Sequence, residues 1–144
     1  MTSEKDTKEK ILNQIKSCLL ERDEIKFAYI LGTFLNSEDF RDIDVALFLE
    51  ENKIKQIDTL DYGMHLSLEL EKRVKPGKFF NRYVPIDVKA LNDAPVSFRY
   101  SVSKGSVLFS KDENAREEFL CRTWQEYFDF LYILDGYYQE VANG

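Results

Sequence analysis

The sequence predicts an α/β fold, an α+β sandwich in which a small mixed sheet of about four strands is flanked by helices. Two observations carry this. Long stretches near 4–23, 54–73 and after 113 repeat apolar residues at helical spacing. Between and beyond them lie four short runs rich in β-branched and aromatic residues, several bounded by Gly or Pro. Elements of both kinds alternate along 144 residues without repeat, low-complexity tract or dividing linker, which predicts one domain over 1–144.

In the first helix, roughly 4 to 23, Ile11, Ile15 and Leu19 recur with Leu12 and Leu20 beside them, and charges fill the other face. KFAYILG, from Lys26 to Gly32, reads as a strand that ends on a glycine. A short helix starting near Phe34 and a polar stretch lead to DIDVALFLE, from Asp42 to Glu50, a second strand. Ile57, Leu60, Met64, Leu68 and Leu70 then predict a helix packed through that side. PGK at 76–78 breaks the pattern. VPIDVKAL, from Val84 to Leu91, reads as a third strand. A short helix follows within Pro95–Lys104, and Gly105 turns the chain into SVLFS, the fourth strand. Ser110 and Glu113 have capping-box spacing, so a last helix is expected there. It carries Phe119, Leu120, Trp124, Tyr127, Phe128, Leu131 and Leu134. Strand order does not follow from this pattern.

The balance of 20 Lys and Arg against 26 Asp and Glu gives a formal charge of -6. Such a chain is not expected to bind nucleic acid directly through a phosphate backbone. Cys18 and Cys121 form no CxxC pair and no zinc-like spacing, and both are expected to be buried, reduced thiols. The polar N-terminus MTSEKDTKEK lacks the apolar core of a signal peptide, and no run approaches the ~18 apolar residues of a membrane span. No membrane association and a cytoplasmic location are the expectations. His65, the single histidine, is expected at or near the surface of its helix.

The acids on the second and third strands carry the chemistry. Asp42 and Asp44 are separated by one residue, so on a strand both project from one face, about 6–7 Å apart at ~3.3 Å per residue, while Ile43 points into the core. Strands disfavour Asp, and like charges side by side repel. A hard divalent cation with oxygen ligands relieves both costs. Asp87 sits between Ile86 and Val88 in a run that otherwise reads as buried, and an acid there needs a partner. If its strand lies beside the second, the three carboxylates can share one or two Mg²⁺ ions, and two metals can clamp both oxygens of an in-line displacement at phosphorus. Gly32-Thr33, at the end of the first strand, adds a close backbone approach, free N–H groups and a hydroxyl for phosphate.

Strand, Gly-Thr, short helix, D-x-D strand, helix, strand with Asp: in this order the residues resemble the DNA polymerase β-type nucleotidyltransferase superfamily. Within it the chain is most similar to the minimal nucleotidyltransferases, the MntA-type antitoxins paired with HEPN toxins. The likeness runs through KFAYILGT, DIDVALFL, VPIDVKALNDAPVSFRYSVSKGSVLFSKD and REEFLCRTWQEYFDFLYIL. It implies a nucleotidyltransferase fold with a catalytic core at about 24–92 and a C-terminal strand and helix at about 95–140. It implies a Mg²⁺-dependent enzyme that uses ATP as substrate and moves AMP to a tyrosine of a partner HEPN ribonuclease, with which it forms a hetero-oligomer. Asp42 and Asp44 then match the metal pair. Asp87 matches the third acid, a metal ligand that helps activate the incoming hydroxyl. Gly32 and Thr33 match the phosphate-binding turn. Two departures stand out. Thr33 replaces the usual Ser, and the short loop NSEDFR lacks the family's A-R-G, leaving Arg41 as the candidate for that arginine.

Two other functions are open at this point: an antitoxin that neutralises by binding alone, and a nucleotidyltransferase acting on a small molecule such as an aminoglycoside. Lys75, Lys78 and Arg82 read equally as phosphate or partner contacts and as a solvated loop. Lys89 shares Asp87's face and is placed either to pair with it when no metal is bound or to approach a phosphate. Arg99 and Tyr100 match a recurrent R-Y of the subfamily and read as structural or interfacial. The aromatic residues of the last helix exceed one face, so core packing and a partner-docking face both have a claim on them.

Overall fold

The computed structural model describes residues 3–55 and 57–143. In chain order it contains α1 (Glu4–Leu20), β1 (Ile25–Ile30), α2 (Gly32–Asn36), β2 (Ile43–Leu49), a 3₁₀ turn (Glu51–Lys53) and α3 (Thr59–Val74). Then come α4 (Gly77–Phe80), β3 (Ile86–Ala90), α5 (Val96–Ser103), β4 (Ser106–Ser110) and α6 (Glu113–Asn143). The strands form one mixed sheet in the order β3-β2-β1-β4. β1 runs antiparallel to both β2 and β4, whereas β2 and β3 are parallel. The parallel pair needs a crossover, and α3 with α4 supplies it.

Strand alternation divides the core. Ile43, Val45, Leu47 and Leu49 of β2 pack with Ile11, Ile15 and Leu19 of α1 and Leu66, Leu70 and Val74 of α3. The opposite face carries Phe27, Tyr29 and Ala46 against Val102 of α5 and Phe119 of α6. Phe48 stacks on Phe27 at 5.0 Å between ring centroids. A register shift between Ile25 and Phe27 lets both side chains be buried, although they lie two apart and face different layers.

Several expectations are corrected. The first helix ends at Leu20 rather than near 23, and α3 starts at Thr59, where Asp58 caps it by accepting from the N–H groups of Leu60 and Asp61. The expected inward stripe of α3 points outward: Ile57, Leu60, Met64 and Leu68 are exposed, and only Leu70 of that set is buried. The cause lies in β3, an edge strand with free N–H groups. Ser67 Oγ accepts from the Val88 N–H at 2.9 Å, and Glu71 Oε1 from the Ile86 N–H at 3.0 Å. Gly63 lets α3 approach, since a Cβ there would stand 2.6 Å from the Val88 carbonyl oxygen. Satisfying and covering the edge strand fixes the rotation of α3.

The α6 cap is Asp112, whose carboxylate accepts from the Ala115 N–H at 3.0 Å, and not Ser110, which is the last residue of β4. The Ser110 hydroxyl is buried without a hydrogen-bond partner. In α6 only Phe119 and Thr123 are buried, while Trp124, Phe128 and Leu131 are exposed. Cys18 is buried as expected, but Cys121 lies on the outer side of α6 and is exposed. His65 is exposed, 3.3 Å from Asp61 one turn earlier. Among the described residues no helix is long and apolar enough to cross a membrane.

Candidate active site

The three acids meet where β1 ends and β2 and β3 begin. Parallel pairing sets Asp44 directly beside Asp87. Their neighbours Ile43 and Ile86 are buried among the α1 and α3 side chains, so both acids project to the face that carries α5 and α6. Asp42 lies one residue before β2 rather than inside it, a small correction to the expected strand start. The Ile43 N–H donates to the Pro85 carbonyl at 2.9 Å, which holds the entrances of the two strands together.

Electrostatics make this corner unusual. Asp44 has its pKa pushed from 3.8 up to about 6. Partial burial is the leading cause, followed by the charge and hydrogen bond of Asp42 and the charge of Asp87, with Lys89 acting in the opposite direction. The Lys89 ammonium lies 3.9 Å from the Asp87 carboxylate and 5.5 Å from the centre of the Phe98 ring.

The donor set, carboxylate oxygens only, is that of a hard divalent cation. As the side chains stand, no three His, Cys, Asp or Glu groups among the described residues are gathered to metal-holding geometry. The backbone already supplies the proximity, because paired strands lie about 4.8 Å apart. Side-chain rotation, including release of Asp87 from Lys89, is what a shared ion requires. The donor types fit such an ion and the backbone sets them side by side, but the side chains as they stand do not close around one.

The glycine turn adjoins the acids through the backbone. The Leu31 N–H donates to the Asp44 carbonyl at 3.0 Å, and Gly32 opens the five-residue helix α2 on the next residue. Thr33 is exposed. The helix thus begins at Gly32 rather than Phe34, which puts both turn residues in its first turn.

The segment between α2 and β2 is held by a small aromatic and cationic assembly. Phe40 is buried, with Phe34 and Phe80 packed edge-on at 4.8 and 4.9 Å. Lys8 donates to the Ser37 carbonyl at 3.0 Å and lies over Phe40. Arg82 donates to the Phe40 carbonyl at 2.6 Å and covers the same ring. Of the cluster Lys75, Lys78 and Arg82, then, Arg82 braces the approach to Asp42. Arg41 is exposed beside Asp42. Arg99 is structural, bonded to the Ala94 carbonyl, to buried Thr123 and to Glu126, and Tyr100 stacks on Tyr127 at 3.7 Å. Sequence reasoning missed Ser67, Glu71 and Asn92. The Asn92 side-chain amide exchanges two hydrogen bonds with Leu49 at 2.9 and 2.8 Å and ties β2 to the chain leaving β3. A cleft of about 560 Å³ opens further along the same sheet face, walled by Phe48, Leu91, Arg99 and Phe119, and does not include the three acids.

The family described as "Polymerase beta, Nucleotidyltransferase" matches residues 13–114, which run from the middle of α1 to the start of α6 and include all three acids. The chain belongs to this nucleotidyltransferase family. Comparison with curated protein sequences finds no significant match. Solved structures share the fold at low identity. One is a complex of a tri-AMPylated Shewanella oneidensis HEPN toxin with its MNT antitoxin: 20% identity, TM-score 0.61, covering 93% of this chain and 98% of that one. The toxin–antitoxin pair MntA-HepT gives 21% identity and TM-score 0.60, over 92% and 97%. A toxin–antitoxin with AMP-PNP gives 21% and 0.61, over 90% and 97%. The nucleotidyltransferase family and its sheet-and-helix fold, anticipated from the residues, are thereby shown.

Proposed function

We propose that this nucleotidyltransferase is a Mg²⁺-dependent antitoxin that transfers AMP from ATP to a tyrosine of a HEPN ribonuclease. The observation that carries the reading is the side-by-side placement of Asp44 and Asp87 beside Asp42, in a chain of this family. The choice of acceptor is supported by the structural likeness to toxin–antitoxin complexes, one with an AMPylated toxin and one with an ATP analogue.

Asp42, Asp44 and Asp87 hold the metal. When bound, Mg²⁺ neutralises phosphate charge and offsets the repulsion among the acids. Asp87 also accepts the phenolic proton as the tyrosyl oxygen attacks the α-phosphorus. A new O–P bond forms, the α–β anhydride bond breaks, and pyrophosphate leaves. Gly32 and Thr33 present N–H and hydroxyl donors to the phosphates, and Arg41 adds a cation at the same edge. Positioning and charge compensation supply the rate, as phosphoryl chemistry needs little covalent help. Such a protein works in the cytoplasm, where ATP and the ribonuclease's RNA substrate are found.

Labelled ATP, purified partner and this chain test the reading together. Wild type labels the partner and Asp44→Asn does not, although it stays folded. Equal labelling by the variant removes the metal-carboxylate mechanism. Rescue of toxin-expressing cells by Asp44→Asn, without labelling, replaces it with neutralisation by binding. Labelling of an aminoglycoside in place of the partner moves the acceptor to a small molecule.

A further inference from the structure

The long helix α6 is only half used by the domain it belongs to. Its 31 residues extend about 46 Å at 1.5 Å per residue. Phe119 and Thr123 are its buried residues, Arg99 clamps it at Thr123 and Glu126, and Tyr100 stacks on Tyr127. Beyond Tyr127 no side chain of the described residues in α6 is buried.

The packed seam nevertheless runs on. Thr123, Tyr127, Phe130, Leu134, Tyr137 and Val141 alternate spacings of four and three, the a/d repeat that keeps one stripe facing a partner helix. Leu131 and Tyr138 widen the stripe. Phe130 is 46%, Tyr137 59% and Val141 61% exposed. So regular an apolar stripe, left in water for about three turns, is a surface awaiting a helix.

Charge decides which helix. From Phe128 to Asn143 the chain has no Lys or Arg, while Asp129, Asp135 and Glu140 lie in this segment. A second copy paired over this segment would add three more carboxylates and no cation, with Glu140 bordering the stripe, so self-pairing is opposed by repulsion. We infer that α6 from Phe128 to Asn143 docks an amphipathic helix of the partner protein whose apolar stripe is bordered by Lys or Arg. This deepens and rests on the partner reading above, and names the surface through which that partner is held.

The test uses the full chain and a purified HEPN-domain partner, with the dissociation constant measured by titration calorimetry. Phe130→Ser/Tyr137→Ser changes only exposed residues. It is expected to bind the partner at least about a hundredfold more weakly, with an unchanged melting temperature for the free chain. Glu140→Lys is expected to weaken binding more at 50 mM than at 500 mM salt. Wild-type affinity in both variants overturns the docking surface while leaving the partner reading intact. Absence of binding by the wild type overturns both. Light scattering of the wild type alone provides a further check: dimers that the double variant abolishes would assign the seam to a second copy and overturn the proposal.

Discussion

Removing one of the three acids should make the protein more stable, not less. Asp44→Asn deletes a charge whose pKa burial and the Asp42 and Asp87 carboxylates have raised from 3.8 to about 6. A raised carboxylate binds its proton more tightly folded than unfolded. Its ionisation therefore costs nothing below the unfolded value, costs progressively more through the window from about 4 to 6, and costs the full amount above it. At about 1.4 kcal/mol per pH unit the displacement is worth about 3 kcal/mol. The side chain is partly open to solvent, and screening reduces the figure to about 1–1.5 kcal/mol. For a chain of this size the variant should melt about 3–5 °C above wild type at pH 7.5 in EDTA. The advantage should vanish at pH 4. At pH 7.5, Mg²⁺ should raise the wild-type melting temperature and leave the variant's nearly unchanged. Differential scanning calorimetry at the two pH values, with and without Mg²⁺, reads all three. A variant less stable than wild type at pH 7.5, or an advantage as large at pH 4, refutes the repulsion argument.

Two further substitutions probe what aims the acids. Gly63→Ala would set a methyl 2.6 Å from the Val88 carbonyl oxygen, and all three nearest atoms are backbone. It is expected to cost about 2–3 kcal/mol and to lower the denaturant midpoint, whereas an unchanged midpoint means α3 and β3 are less tightly apposed. Arg82→Ala removes the hydrogen bond to the Phe40 carbonyl and the cation over its ring. About 1 kcal/mol of stability should be lost, together with faster proteolytic cleavage between Asn36 and Asp42. Protection equal to wild type would show that the aromatic packing holds the segment unaided.

The strands were legible because their signal is local. Period-two alternation placed Asp44 and Ile43 on opposite faces, and the structure agrees. The same parity argument put Lys89 beside Asp87, where it forms an ion pair. The rotation of α3 was hidden because the helix has two apolar sides. What selects between them is a pair of unsatisfied N–H groups on β3, which Ser67 and Glu71 must meet. That demand appears only once β3 is known to be an edge. The α6 cap failed for a related reason: Ser110 satisfied a spacing rule, yet β4 claims it as a strand residue and Asp112 is nearer the first turn. The aromatic residues of α6 stayed ambiguous because a helix pattern reports a face without reporting what lies against it.

Charge in this corner is distributed so that the acids are left to attract cations. Two nearby basic side chains are committed to main-chain carbonyls, Lys8 to Ser37 and Arg82 to Phe40, and so stabilise the path into Asp42 without neutralising it. Lys89 is different: it is tethered, exposed and 3.9 Å from Asp87. It moderates repulsion when no metal is present, and its flexible stem lets it yield to an ion of higher charge. A fixed arginine fork in that place would hold Asp87 more firmly against a metal. The arrangement accepts a penalty at Asp44 in the free protein and anchors the backbone around it, through the Leu31 bond to the Asp44 carbonyl and the Ile43 bond to Pro85, so that the acids cannot relieve their repulsion by moving the strands apart. On the metal reading proposed above, what remains to them is side-chain rotation toward a shared cation. Rigid strands with mutually repelling tips, on the proposed reading, keep the acids in place for a metal before it arrives.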